Sequence, residues 1–328
     1  MLGAAAASAS RASVKAQKKP NLLFILTDDQ RWDQMGCAGH PFLKTPNMDR
    51  IAAEGAIFTN AFVTTSLCSP ARASFLTGRY AHAHGVLGNW QDISEVELRR
   101  AFPYLLQQAG YETSYFGKFH MGFKSAPREG FNHWAAFPGQ GRYFDPVLNI
   151  NGELKKMTGH GGQVVTDLAI EWLRRPRKNP FCMVVGYKEV HGPSTPPAHL
   201  RDLYGDKEVP VPVVSEECLK GKPDVIRQIQ VSIPKEPGHN IPGFPTDYVE
   251  DRRNYWRCIT GADEQVGRLL QALDESGQAN NTAIVFAGDN GLFMDEFGLF
   301  DKRFAYEPSL RIPVLLRYPQ AGHARHPY

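Results

Sequence analysis

Two strand-length apolar runs that both end in acid constrain this chain most. Asn21–Thr27 reads NLLFILT and leads straight into Asp28-Asp29, while Thr282–Ala287 reads TAIVFA and leads into Gly288-Asp289-Asn290-Gly291. Runs with no polar alternation suit strands buried on both faces, in the middle of a largely parallel sheet. Phe181–Tyr187 is a third such run, Thr113–Phe116 is a shorter one, and 312–318 (IPVLLRY) reads as a further buried strand. Ala56–Val63 also reads as a strand.

Helical patterns lie between these runs. Thr45-Pro46 opens one, with Thr45 as N-cap and Pro46 at the first helical position, and Gly55 closes it. Ser69–Tyr80 is a second, with Gly78 near its end. Val96–Ala109 carries Val96, Leu98, Phe102, Leu105 and Leu106 as its apolar set, with Gly110 as the stop. Gln163–Arg174 places Val164, Leu168 and Trp172 four apart. Tyr248–Ser276 carries a stripe of Val266, Leu269, Leu270 and Leu273. Residues 188–245 are Pro-rich and read as a long loop or lid. Strands alternating with helices predict an α/β fold, a mostly parallel sheet sandwiched by helices.

Composition removes several classes. Lys+Arg is 37 against 34 Asp+Glu, a net charge of +3 with no basic stripe, which argues against nucleic acid as partner. No apolar run approaches the roughly 20 residues of a membrane span. The five cysteines (Cys37, Cys68, Cys182, Cys218, Cys258) include no C-x-x-C pair, which argues against structural zinc. Residues 1–20 are small and mildly apolar, with Ala-x-Ala spacing at Ala7-Ser8-Ala9. They read as an export-signal remnant or a disordered tail, and export predicts a periplasmic or secreted protein. After Pro319 the polar stretch 320–328 closes no element and reads as a truncation point. The expected catalytic domain is 21–319.

In open α/β sheets, sites lie beyond the carboxyl ends of strands, where both acidic clusters fall. Adjacent carboxylates repel one another unless a cation is present. Asp28, Asp29, Asp289 and the Asn290 amide form an all-oxygen set that suits Ca²⁺ or Mg²⁺ rather than zinc. The alternative is that both clusters are turn residues; their shared position after apolar strands favours metal. In Cys68-Ser69-Pro70-Ala71-Arg72, Pro70 is placed to start a helix with Cys68 at its N-terminus and Arg72 on the same face. That pattern fits a low-pKa nucleophilic thiol, or a small buried hydrophobe.

Cys68-x-Pro70-x-Arg72 followed by Leu76-Thr77-Gly78-Arg79 resembles the signature of the type I sulfatases, in the alkaline phosphatase superfamily. Other segments agree in order. Asn21–Gln30 resembles that family's first strand and metal pair, Gly117-Lys118-Phe119-His120 its Gly-Lys-Trp-His segment, and His191-Gly192-Pro193 its His-x-Pro loop. Gly288-Asp289-Asn290-Gly291 resembles the second metal pair, and Asp301-Lys302-Arg303 with Tyr306-Glu307 the lysine loop. The likeness runs from about Lys19 to Pro319.

The resemblance implies an alkaline phosphatase-like fold and oxidation of Cys68 to formylglycine by a maturation enzyme. One hydroxyl of the hydrated aldehyde attacks sulfur and the alcohol leaves. The other then loses its proton and sulfate is expelled, where a simple serine would stall as a stable ester. Asp28, Asp29, Asp289 and Asn290, with the modified Cys68, are implied ligands of Ca²⁺, ahead of Mg²⁺. Arg72 and Lys118 are implied to stabilise the alkoxide, His120 to act as base, Lys302 to bind sulfate oxygens and His191 to protonate the leaving oxygen. The division of labour between the two histidines stays open. In extended chain Lys118 and His120 share a face. Lone lysines and histidines are mostly surface groups, so these assignments come from the resemblance. His82 and His84 are candidates for the substrate pocket, or ordinary histidines after a helix.

The implied substrate is a sulfated carbohydrate, as in the glucosamine 6-O-sulfatase group, or an aryl sulfate. A second reading is a phosphomonoester, phosphodiester or phosphonate ester hydrolase of the same superfamily, which would use transition metals with histidine ligands. A third is an inactive, truncated binder of sulfated glycans that uses Arg72, Lys118 and Lys302. The resemblance implies a smaller C-terminal subdomain that reads as missing here, and its loss predicts an exposed sheet edge or apolar patch.

Overall fold

The computed structural model describes residues 19–210, 217, 220–226, 228 and 248–321. The export segment, Cys218, the 322–328 tail and much of the expected 188–245 lid lie outside them. Nine strands among the described residues form the main sheet, in the order β2-β11-β8-β1-β7-β3-β4-β5-β6. They are β1 (Asn21–Thr27), β2 (Ala56–Ile57), β3 (Glu112–Gly117), β4 (His133–Ala136), β5 (Val147–Ile150), β6 (Glu153–Lys156), β7 (Phe181–Gly186), β8 (Thr282–Gly288) and, past a small hairpin of β9 (Phe293–Met294) and β10 (Phe300–Asp301), β11 (Val314–Arg317). β8, β1, β7, β3 and β4 run parallel, and β11, β2, β5 and β6 add on antiparallel.

The central strands are buried on both faces, as their unbroken apolar runs require. Leu23, Ile25, Met183, Val185, Ile284 and Phe286 pack on the helices Pro46–Ala53, Gly161–Leu173 and Tyr248–Glu275. On the other face Val184, Tyr115 and Trp134, with Phe24 against them, meet Ala73 and Leu76 of the helix Cys68–Thr77. The result is the predicted mostly parallel sheet between two helical layers.

Local structure departs from the sequence reading in four places. Ala56–Val63 yields only Ala56–Ile57, because the chain turns at Thr59-Asn60 and meets Arg311 again only at Phe62. Val96–Ala109 divides into Glu95–Leu98 and Phe102–Gln108. Pro103 offers no N–H to a preceding turn, Ala101 is extended (φ −69°, ψ 144°), and Val96 and Leu105 stay exposed. Thr45 does not cap its helix with its side chain: the hydroxyl accepts from Gly36 N at 2.9 Å and donates to Asp49 Oδ1 at 2.9 Å. The β5–β6 hairpin is the fourth departure, and its turn at Asn151-Gly152 (φ 51° and 106°) carries the Asn-Gly hairpin signal.

The sheet edges are blunted. β2 is two residues long, and β6 is an exposed ELKK segment whose charges discourage pairing with another chain.

Candidate active site

The acidic clusters meet because β1 and β8 pair parallel in register. Thr27 lies opposite Gly288, so Asp28-Asp29 and Asp289-Asn290 leave the sheet side by side. Asp28, Asp29 and Asp289 are buried, and they offer oxygens within 4.8 Å of one another. Asp29 adopts φ 59°, which lets its N–H donate to Asp289 Oδ1 at 3.0 Å. Burial raises the Asp29 carboxyl above its ordinary range.

Each carboxylate is answered by a cation. Lys118 Nζ meets Asp28, Lys302 Nζ holds both oxygens of Asp29 (2.6 Å to Oδ2), and Arg72 Nε donates to Asp289 Oδ2 at 2.9 Å. Burial opposes the charge of Lys302, but Asp29 beside it raises the ammonium above its usual range. Asn290 Nδ2 donates to Asp29 Oδ1 at 2.6 Å. Asn290 Oδ1 is buried and has no hydrogen-bond partner among the described residues. A buried amide oxygen left unanswered beside three carboxylates fits a hard cation.

The loops reach the site through two glycines. Gly117 (φ 90°) and Gly186 end β3 and β7 in contact, and a Cβ on Gly117 would lie 2.1 Å from Gly186 O. This close approach lets Lys118 N donate to Gly186 O at 2.6 Å, and turns the Lys118 carbonyl to Arg72 Nη1 (2.6 Å) and Tyr115 Oη (2.6 Å). The segment after it is not extended: His120 has φ 50°, so strand alternation does not set where its ring lies relative to Lys118. Ser69 Oγ donates to the His120 carbonyl and Ser69 N to Asn89 Oδ1 at 3.0 Å, which pins both loops beside Cys68.

Cys68 is the first residue of its helix, as predicted, and its Sγ donates to Asp28 Oδ1 at 3.4 Å. The low-pKa reading is overturned. Burial, with Asp289 and Asp29 nearby, outweighs Lys302 and Arg72 and pushes the thiol up to about 12. As a plain cysteine this residue is a protonated thiol at neutral pH.

His191 Nε2 faces Asp29 Oδ2 at 3.7 Å and its Nδ1 meets Gly192 O at 2.6 Å. Burial, together with Lys302 and Lys118, holds the imidazole well below its ordinary range. His120 is lowered in the same way by burial, Lys118 and Arg72, and its buried Nδ1 has no partner among the described residues. A cleft opens from Asp29 and His191 past Ser194, Asp251, Tyr255 and Asp301. His82 and His84 do not line it. His84 Nε2 pairs with Ser74 Oγ (3.1 Å) on the back of the Cys68 helix, and exposed His82 stacks on Tyr80.

A family model described as Sulfatase matches residues 20–327. The chain belongs to the sulfatase family. Among its relatives, an N-acetylglucosamine-6-O-sulfatase of Bacteroides thetaiotaomicron is 32% identical over 96% of this chain and 66% of that protein. An ulvan-active sulfatase of Formosa agariphila is 32% identical over 92% of this chain and 56% of that protein. The chain thus spans about two thirds or less of the length of these relatives. A solved protein in complex with its substrate D-glucosamine-2-N,6-O-disulfate superposes at TM-score 0.78, with 31% identity over 92% of this chain and 72% of that one. The sulfatase fold seen here is therefore the alkaline phosphatase-like sheet that the Cys68 motif predicted. No described helix is long and apolar enough to cross a membrane.

Proposed function

We propose that this chain hydrolyses the sulfate ester of a sulfated sugar, with Cys68 matured to formylglycine and Ca²⁺ held by Asp28, Asp29, Asp289 and Asn290. The carrying observation is the buried convergence of four acidic or amide side chains with Cys68, Arg72, Lys118 and Lys302 at one end of the sheet. The raised thiol supports the formylglycine reading, because unmodified Cys68 is a poor nucleophile here. The orphan Asn290 oxygen and the three carboxylates support an oxygen-ligated divalent ion over a histidine-rich transition-metal site. That preference favours sulfate over the phosphoester and phosphonate alternatives. The glucosamine disulfate named for the solved relative supports a sugar ester over an aryl sulfate.

Bound calcium would neutralise the carboxylates and stabilise negative charge that develops at the reacting oxygens. Formylglycine would supply a hydrated aldehyde as the attacking group. The chain's own residues do the remaining work. Arg72 is fixed by Asp289 and by the Lys118 carbonyl, so its guanidinium orients the Asp289 carboxylate. Lys302 presents its ammonium at Asp29, where it can turn to a sulfate oxygen. With His191 Nδ1–H donating to Gly192 O, Nε2 is the atom that must carry and release a proton to the leaving oxygen. The incoming sulfate anion favours that protonation, offsetting the surrounding lysines. His120 Nδ1, buried and without a partner among the described residues, is the remaining proton acceptor. The Ala-x-Ala segment supports a periplasmic or secreted setting.

The test is mass spectrometry across Cys68 after co-expression with a formylglycine-generating enzyme, followed by sulfate release from glucosamine 6-sulfate in calcium buffer. An aldehyde at Cys68 with release of sulfate supports the reading. An aldehyde with no release from any sugar or aryl sulfate overturns it.

A further inference from the structure

The site holds a fourth cation that none of these roles uses. Lys188 follows the carboxyl end of β7, and its carbonyl accepts from His191 N at 3.0 Å. Its ammonium lies over the Tyr143 ring, 5.0 Å from the centroid, and the Tyr143 hydroxyl donates to His191 O at 2.8 Å. Lys188, Tyr143 and His191 are therefore one packed group, on the side of the site where the leaving oxygen is placed.

Arg72, Lys118 and Lys302 each hold a carboxylate. Among the described residues the Lys188 ammonium makes no hydrogen bond and no ion pair; the face of Tyr143 is its contact. Glu189, its neighbour in sequence, faces His160 at 3.5 Å and makes no ion pair with Lys188, acting on it only through space. Burial pulls Lys188 below the ordinary lysine range, against the opposing charge of Glu189 and then of Asp29 and Cys68. Lys188 is half-buried, so its ammonium is partly withdrawn from water while no described carboxylate bonds it, which is a cost to the folded chain. Such a group is explained when the ligand brings the anion.

We propose that Lys188 is an anion-binding residue of the site, contacting a sulfate oxygen of the substrate from the His191 side. This rests on the sulfate-ester reading above. The oxygen has two sources with the same chemistry, the scissile ester or a second sulfate on the same sugar.

The experiment uses full-length Cys68→Ala protein, which binds without turnover. It is titrated calorimetrically with inorganic sulfate, glucosamine 6-sulfate and glucosamine N,6-disulfate. Adding Lys188→Met should weaken binding about tenfold or more, the size of one charge-assisted hydrogen bond, and Lys188→Arg should restore most of it. Loss with all three ligands places the contact on the scissile sulfate, whereas loss confined to the disulfate places it on the second sulfate. Lys124→Met, at a lysine 77% exposed, is the control and should change nothing.

Without ligand, Lys188→Met should melt at the same or a higher temperature, because a half-buried charge with no bonded anion has been removed. Unchanged affinity for all three ligands, a lower melting point with unchanged affinity, or no sulfate binding at all overturns the proposal. If matured wild type releases no sulfate while Lys188→Met still weakens binding, the hydrolase reading fails and the anion contact stands.

Discussion

Arg72 Nε donates to Asp289 Oδ2 at 2.9 Å, with both side chains essentially sealed from water. This bond ties the Cys68 helix to the end of β8. Arg72→Ala leaves a buried carboxylate without its cation, a loss of about 3–5 kcal/mol when one partner of a buried pair is removed. Denaturant unfolding in EDTA measures it. A loss below about 1 kcal/mol would mean that Asp289 finds another partner and that the pair is not what closes the site.

Calcium should stabilise the fold by linkage. At a hundredfold excess over Kd the gain is about 2.7 kcal/mol, read as a rise in melting temperature that EDTA reverses. Asp289→Ala and Asn290→Ala should each shrink that rise. An undiminished rise in either variant would strike the residue from the ligand set.

Cys68 should resist alkylation in the folded, unmodified protein. Its thiol stands near 12 and is fully buried, so iodoacetamide at pH 8 should label it only after denaturation. Rapid native labelling would contradict the burial. Cys68→Ala should abolish turnover while leaving calcium affinity largely intact.

The two histidines make stability depend on pH with a definite sign. His191 and His120 are both held below their ordinary range by burial and neighbouring cations, so they stay neutral in the folded chain. The unfolded chain protonates them near pH 6.5. Their contribution is therefore complete above about pH 6.5 and is lost as pH falls below it. In EDTA the melting temperature should drop between pH 7.5 and 5.5, and His120→Gln/His191→Gln should flatten that drop. Asp29, raised by burial, acts in the opposite sense from pH 3.8 upward, so the informative quantity is the difference between the two proteins.

His191 and His120 should separate by leaving group. An acid at His191 Nε2 matters for a sugar alkoxide and little for nitrophenolate, so His191→Ala should cost about 10²-fold or more on a sugar sulfate and far less on nitrophenyl sulfate. Equal losses on both would move the acid elsewhere, with His120 next in line.

What was legible in the sequence was long-range. NLLFILT and TAIVFA announced two buried neighbours, and their acid endings announced the site before any contact was known. The Cys68 helix and its Gly78 stop also followed from local chemistry. The failures share a cause, in that the deciding partner lay elsewhere in the chain. Thr45 is a good N-cap, but Gly36 and Asp49 claim its hydroxyl. Cys68 at a helix terminus reads as an acidic thiol until burial is counted. Lys188 carries no signal of its own in the sequence, since the Tyr143 ring that its ammonium meets comes from a different segment.

The pairing of Thr27 with Gly288 makes the site discrete rather than adjustable. A slip of one residue between β1 and β8 moves the acidic doublets about 3.3 Å apart along the strands and turns every side chain to the opposite face. No graded series of weaker sites lies along that path. An inserted residue within either strand removes the centre altogether. An insertion in the loop beyond Gly291 leaves the doublets aligned and changes only what surrounds them. Diversity in chains of this design is thereby steered to the loops, which meet the substrate, while the two strands act as a fixed index.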